Sequence, residues 1–208
     1  GPGFSHYDYN ISLQDNIYKM NIDFDYVIWY KPLDDEIKFK KGKKLKFKTI
    51  LRYNEMWDLK WTMKEIKESM TDIVICHHKN DQIEYDKVLK DKFFYNPHFT
   101  NQNIFYDKNV DRDIDILISG VCKENHYPLK KKLYDLIKRN KKRRLKKYNI
   151  VFYNHPGYWH DNSFNNFNQI EYANILNRSK ICIACSSKYK YRLGKYIEIP
   201  LCGGIILG

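Results

Sequence analysis

The sequence predicts an α/β fold with parallel sheets, and three features of the chain predict it. The chain contains short segments that are almost wholly apolar, which is typical of strands. It also contains segments with apolar residues at helical spacing. The two kinds of segment alternate along the chain. Ile73–Cys76 is the clearest apolar segment, because it contains no charged or strongly polar side chain. Such a strand is typical of a parallel sheet covered on both faces, with right-handed crossovers between neighbouring strands.

The N-terminal half is expected to contain four strands and a helix. Residues 1–21 show no period, so we expect them to form a tail or a tag remnant. The helix is expected to open around Trp61, because Thr62 and Glu65 have the spacing of a capping box. The strands are expected at residues 24–30, 47–52, 73–76 and 93–95.

A second alternation of strands and helices follows the polar residues 100–112, and we place a domain boundary after residue 109. Pro128 suits the first turn of a helix. The buried stripe of this helix is expected to contain Leu129, Leu133, Leu136 and Ile137. The strands are expected at residues 114–120, 149–153, 180–185 and 204–207, with further helices at 169–177 and 191–201. We therefore predict two Rossmann-like parallel-sheet domains, 22–109 and 110–208, each of them incomplete.

Composition and charge narrow the class of protein. The formal net charge of +12 suits an anionic partner, but the abundance of Lys, Asn, Ile and Tyr is also typical of an AT-rich genome. The sequence has no run of about 18 apolar residues and no signal-peptide pattern, so we expect a cytoplasmic protein, with peripheral contact to a membrane as an option. Cys182 and Cys185 are expected to be core thiols on opposite faces of one strand.

Two charge patterns allow alternative interpretations. Asp111, Asp113 and Asp115 imitate a metal-binding D-x-D motif, but strand-edge polarity is the favoured interpretation. The basic residues of 130–132 and 138–147 favour a solvated helix face. The alternatives are contact with an anionic membrane surface, a polyprenyl-phosphate acceptor or nucleic acid, although no nucleic-acid-binding motif accompanies the run.

Candidate ligand-binding residues follow the strands of the second domain, because open α/β sheets bind ligands beyond the carboxyl ends of their strands. Gly120 follows the first strand, His155 and Tyr158 follow the second, and Ser187 follows the third. Gly203 would let the backbone approach closely before the last strand.

The segment before the last helix combines cations with a helix N-terminus, which favours an anion such as a diphosphate. The candidates for this contact are Arg192, Gly194 and Lys195. Glu198 lies a turn further on, where a carboxylate commonly accepts hydrogen bonds from ribose hydroxyls.

Three stretches carry a resemblance to a known family: residues 172–177, residues 179–183 with the following serines, and residues 195–204. In their order they are similar to the C-terminal domain of GT-B glycosyltransferases of the "glycosyl transferases group 1" type, over residues 114–208. The resemblance implies a nucleotide-diphosphate sugar as donor substrate, with no metal or other cofactor. It also implies that Glu198 binds the donor ribose. The acceptor would be a carbohydrate, a protein or a lipid-linked group in the cleft between the domains.

The resemblance leaves the catalytic base and the stereochemical course open. Lys190 stands where many retaining members of the family carry a second Glu. Candidates for the base are His77, Glu55 and Asp58, which follow strands of the first domain. The expected function is glycosyl transfer. The alternatives are a non-catalytic basic α/β module for nucleic acid or an anionic surface, and a degenerate glycosyltransferase that serves as a scaffold.

Overall fold

The computed structural model describes residues 11, 13–21, 24–30, 46–53, 56–154 and 168–208. These residues form two compact units, one within Gly1–Pro97 and the other within His98–Gly208. Each unit contains a four-stranded sheet in which all pairings are parallel. The predicted α/β class with two Rossmann-like parallel sheets is therefore confirmed.

The first unit has its strands in the order of the sequence. Its elements are α1 (Leu13–Lys19), β1 (Tyr26–Tyr30), β2 (Lys48–Tyr53), α2 (Leu59–Glu68), β3 (Ile73–Cys76), α3 (Lys79–Asp86) and β4 (Phe93–Tyr95). Its core is formed by alternate residues of the strands, including Leu51, Val74 and Phe93, which pack with Ile66 of α2 and Tyr85 of α3. All four strands lie where the apolar segments predict them.

The helices of the first unit differ from the prediction in three places. Helix α1 lies within the expected tail, and its Ile17 is buried. Helix α2 is capped by Asp58, whose side chain accepts a hydrogen bond from Trp61 N at 2.9 Å. The capping-box assignment is wrong because Thr62 is buried inside the helix. Helix α3 is not predicted from the sequence because its apolar residues have no helical period. Of these residues, Tyr85 is buried but Ile83 is exposed.

The second unit has the strand order β6-β5-β7-β8. Its elements are β5 (Ile114–Ser119), α4 (Pro128–Asn140), β6 (Ile150–Tyr153), α5 (Gln169–Asn177), β7 (Ser179–Ile183), α6 (Lys195–Leu201) and β8 (Ile205–Leu207). The chain adds β6 on one side of β5 and β7 on the other side, so the topological switch point lies between the carboxyl ends of β5 and β7. Crevices at such a point are the usual ligand sites of open α/β sheets.

Residues 98–109, which the sequence assigns to the first domain, lie within the second unit. Phe105 is buried in its core and packs edge-on against Tyr172, with ring centroids 6.3 Å apart. The backbone N–H of Lys108 donates to the side chain of Asn177 at 2.7 Å. These contacts tie the polar connector to α5.

Helix α4 begins at Pro128 as predicted, but it is rotated relative to the predicted stripe. Leu129 and Leu136 are 50% and 51% exposed, so their assignment to the core is wrong. Lys130 is only 4% exposed and Ile137 is buried. The buried face contains Leu133, Tyr134 and Ile137, and the Tyr134 ring packs on Phe152 of β6 at a centroid distance of 5.0 Å.

The cysteine and aspartate patterns have structural explanations. Cys182 packs into the core on one face of the sheet and Cys185 into the core on the other face, which confirms the prediction for this pair. Asp113 forms an ion pair with Arg178, and Asp115 forms one with Lys180. These pairs lie where β5 begins and account for Asp113 and Asp115 of the alternating acidic set. No helix among the described residues is long and apolar enough to cross a membrane.

Candidate functional site

Two lysines converge at the carboxyl end of β5. Lys195, the first residue of α6, donates from its Nζ to the carbonyl oxygen of Ser119 at 2.7 Å and to the Ser119 hydroxyl at 3.0 Å. Lys130, in the first turn of α4, donates from its Nζ to the same carbonyl oxygen. Two cations from different helices therefore meet beside the topological switch point of the second sheet.

Gly120 makes room for this pair. Its φ of +79° lies in the left-handed region, where a residue with a side chain is strained. A Cβ at this position would lie 2.6 Å from Lys195 Nζ and 3.7 Å from Lys130 Nζ. The backbone conformation at the residue that follows β5 therefore favours glycine, and the predicted site residue Gly120 lies against the lysine pair.

The pair is electrostatically unfavourable in the free protein. Burial, and to a smaller extent the positive charge of Lys130, lower the pKa of Lys195 to about 7. Burial also lowers the pKa of Lys130. Glu198 opposes the shift of Lys195 without cancelling it. An anion bound at this point would favour the charged form of both ammonium groups.

Tyr172 of α5 completes the surroundings of Ser119. Its hydroxyl lies 3.1 Å from the Ser119 hydroxyl, and its ring centroid lies 5.8 Å from Lys195 Nζ. The Tyr172 ring also stacks on Tyr153 of β6. Burial raises the pKa of Tyr172, so this phenol stays protonated and donates or accepts as a neutral group. Side chains from three helices thus fix the end of β5.

Glu198 lies one helical turn after Lys195 on α6. Its Oε1 would be 3.1 Å from a Cβ at Gly194, so the carboxylate folds back over the start of the helix. Burial raises the pKa of Glu198 and the neighbouring Lys195 lowers it. Lys195, Gly194 and Glu198 therefore form one end of a polar site that also contains Gly120.

The other predicted residues of the second unit are placed differently. Arg192 is exposed in the loop before α6. Ser187 is buried, and its hydroxyl accepts from the backbone N–H of Tyr189 at 3.2 Å, so it shapes that loop. Gly203 lies at the far end of α6, where it adjoins Arg112 and Asp107, and it does not join the lysine pair. The predicted residues His155 and Tyr158 lie outside the described residues.

The predicted base candidates of the first unit have structural partners. His77 is buried after β3, with Nδ1 2.7 Å from the carbonyl oxygen of Asn96 and Nε2 2.9 Å from Arg52 Nε. Since a carbonyl only accepts and Nε of Arg52 only donates, Nδ1 carries the hydrogen. Burial lowers the pKa of His77 and keeps the ring neutral. Asp58 caps α2, and Glu55 lies outside the described residues.

Sequence reasoning missed three residues of the site: Lys130, Ser119 and Tyr172. Lys130 stands in a run of three lysines, which suggests a solvated surface. A signal was present nonetheless, because positions 130, 133, 134 and 137 have helical spacing and share one face. A lysine at the first position of that face points to the sheet edge where ligands bind.

Comparison of the chain with protein-family models and with curated proteins gives no match. The function proposed below therefore rests on the chemistry of the site and on the resemblance of residues 114–208.

Proposed function

We propose that the second unit binds the diphosphate of a nucleotide sugar and that the protein transfers the sugar to an acceptor hydroxyl. The observation that carries this proposal is the convergence of Lys130 and Lys195 on Ser119 and Gly120. Two neighbouring ammonium groups match the charge and the spread of oxygens of a diphosphate. Their place at a topological switch point is the usual position of nucleotides in open α/β sheets.

The chemistry of sugar transfer explains why a pair of cations is useful. The bond between the anomeric carbon and the diphosphate oxygen breaks, and negative charge develops on the leaving diphosphate. Lys130 and Lys195 would stabilise that charge in a partly buried site, where an electrostatic contact is stronger than in water. Fixed positions cost no reorganisation at the moment of reaction, and the contacts to Ser119 fix both lysines.

Glu198 is proposed to accept hydrogen bonds from the ribose hydroxyls of the nucleotide. Its position a turn away from Lys195 suits a ribose next to the diphosphate. Burial raises the pKa of the Glu198 carboxyl, and hydrogen bonds from ribose hydroxyls would favour its charged form. Acceptors of this proposed transferase are carbohydrate, protein or lipid-linked hydroxyls.

A second candidate function is nucleotide-sugar binding without transfer. It is favoured because the base candidates that the structure describes already have structural partners. The nitrogens of His77 contact Arg52 and Asn96, and Asp58 caps a helix. Release of nucleoside diphosphate from a bound sugar nucleotide, in the presence of acceptor sugars, separates the two functions. A transferase releases it catalytically, whereas a scaffold protein leaves the sugar nucleotide intact.

Thermal unfolding with added nucleotides tests donor binding. We expect UDP, GDP or their sugar derivatives to raise the unfolding temperature by several degrees, since a ligand at about 100 times its Kd stabilises by about 2.7 kcal/mol. Glu198→Gln should abolish the preference for a ribonucleotide over its 2′-deoxy form. Glu171→Gln, which changes an exposed carboxylate on α5, is the matched control. The proposal fails if no nucleoside diphosphate or sugar nucleotide stabilises the protein.

A further inference from the structure

The outer face of α4 and the chain that follows it form a surface that combines exposed leucines with a dense group of cations. We propose that this surface docks on an anionic lipid bilayer. The "α4 surface" is defined by Leu129, Lys132, Leu136 and Arg139 on the helix, together with Lys138 and residues 141–147. The inference is independent of nucleotide binding.

The leucines provide the apolar part of the surface. Leu129 and Leu136 are each about half exposed, at 50% and 51%. They are separated by seven residues and share a helix face with Lys132 and Arg139, which are also exposed. The opposite face packs on the sheet through Ile137. Helix α4 thus presents apolar residues on both faces, one toward the core and the other toward solvent.

The cations provide the second part. The exposed basic side chains of the segment are Lys138, Arg139, Lys141, Lys142, Arg143, Arg144, Lys146 and Lys147. The sequence has no acidic residue from position 136 to position 160. Asp135 is hydrogen-bonded to Lys131 at 2.5 Å. A segment of such charge density attracts an anionic membrane leaflet.

Acidic groups near the start of β6 do not neutralise the segment. Asp115 accepts from the backbone N–H of Asn149, but it also forms an ion pair with Lys180. Asp113 pairs with Arg178 in the same way. Each of these carboxylates therefore has a cation of its own, and the charge of residues 138–147 remains unbalanced.

The exposed leucines favour a bilayer over a nucleic acid as the partner. Phosphate groups of either partner would satisfy the cations, but a sugar-phosphate backbone offers nothing to Leu129 or Leu136. In a bilayer, leucines enter the boundary between headgroups and acyl chains while lysine and arginine reach the phosphates. Tyr148, which is 41% exposed beside the segment, has the amphipathic ring that is enriched at this boundary.

The cationic part of the α4 surface, residues 141–147, lies at the edge of the sheet opposite the lysine pair. Residues 141–147 lead from the end of α4 to the beginning of β6, at the amino edge of the sheet, whereas Lys195 and Gly120 lie at the carboxyl edge. Docking through this segment would hold the protein at a membrane without occupying the proposed nucleotide site.

Vesicle co-sedimentation of the full chain tests the charge requirement. We expect binding to phosphatidylcholine vesicles in which about a third of the lipid is phosphatidylserine, and none to phosphatidylcholine alone. Replacement of Lys142, Arg143, Arg144 and Lys146 by Gln should lower partitioning by about 600-fold, since each of the four cations contributes roughly fivefold. The matched control replaces Lys67, Lys79, Lys87 and Lys90, which are exposed in the first unit, and should retain binding.

The leucines distinguish a bilayer from a polyanion. Leu129→Ser with Leu136→Ser should lower partitioning to the anionic vesicles by about tenfold and leave binding to single-stranded RNA unchanged. The far-UV circular dichroism spectrum and the unfolding temperature should be the same in all these variants as in the wild type, which shows that they fold. Vesicle binding that ignores the leucines, or tight RNA binding without vesicle binding, overturns the proposal.

Discussion

The carboxyl edges of the two sheets differ in the charges and the hydrogen-bond partners of their buried polar groups. In the first unit, the neutral ring of His77 receives a hydrogen from Arg52 and donates one to Asn96. In the second unit, two ammonium groups donate to a single carbonyl oxygen, that of Ser119. Both edges have the polar residues that suggest a site. Among the described residues, only those at the second edge bring like charges together, an arrangement that an anionic ligand would stabilise.

The difference has an energetic consequence. A neutral, hydrogen-bonded histidine contributes to stability because each of its nitrogens has a partner. A pair of cations with lowered pKa values opposes folding, since the charged forms are disfavoured by burial and by one another. Such unfavourable arrangements persist where function needs them. The two edges therefore differ as a structural hydrogen-bond network around His77 differs from the proposed ligand site at the lysine pair.

The largest expected effect is the loss of nucleotide affinity in lysine variants. Lys195→Ala and Lys130→Ala should each raise the Kd for a nucleoside diphosphate by roughly 10–100-fold, because a hydrogen bond to a charged group contributes about 1.5–3 kcal/mol. Isothermal titration calorimetry measures both.

Lys132→Ala is the matched control for Lys130→Ala. Lys132 lies on the same helix but is exposed, so its loss should leave the Kd within about a factor of two. If the two variants weaken binding equally, the lysine pair is not the anion site and the comparison of the two edges loses its functional meaning.

A smaller effect is expected on the stability of the ligand-free protein. Lys195→Met removes a cation that is costly when buried, and it keeps a similar side-chain length. Below about pH 7 the wild-type lysine is charged in both the folded and unfolded states, and the full penalty is present. Between pH 7 and the ordinary pKa of lysine, the unfolded chain binds more protons, so the wild-type protein gains stability as pH rises.

The variant should therefore be more stable than the wild type near neutral pH, on the order of 1–2 kcal/mol, and the gain should shrink toward about pH 9. Urea unfolding at several pH values measures it. The stabilisation of Lys195→Met by nucleotide should be smaller than that of the wild type at every pH. A variant that is less stable at low pH would show that the contacts to Ser119 outweigh the burial of charge.

The sequence predicts the strands well and the orientation of one helix poorly. Apolar segments such as Ile73–Cys76 form strands at the predicted positions because both faces of a parallel strand are covered. The stripe of α4 is ambiguous, since leucines surround the helix on more than one face. In the structure the face with Leu133, Tyr134 and Ile137 packs on the sheet, and the partner of Tyr134 is Phe152, which belongs to a different element.

The candidate site was predictable only in part. Gly120, Lys195 and Glu198 follow from their positions after a strand and at a helix start. No sequence pattern indicates Ser119 as a site residue, because it is the last residue of an apolar strand. Its role depends on lysines from two helices. Tyr172 has the spacing of a core residue, and only the fold brings its hydroxyl to Ser119.

The smallest expected effect concerns His77, whose replacement tests the other side of the comparison. His77→Ala leaves Arg52 and the carbonyl of Asn96 without this partner, so the free energy of unfolding should fall by roughly 1 kcal/mol or somewhat more. Nucleotide-induced stabilisation, measured as the shift relative to each protein's own ligand-free unfolding temperature, should not change. His77→Gln, which retains a donor and an acceptor, should recover part of the loss. If His77→Ala instead abolishes sugar transfer while the protein remains stable and binds nucleotide, then the histidine takes part in the reaction, and balanced hydrogen bonding at a sheet edge does not exclude a catalytic role.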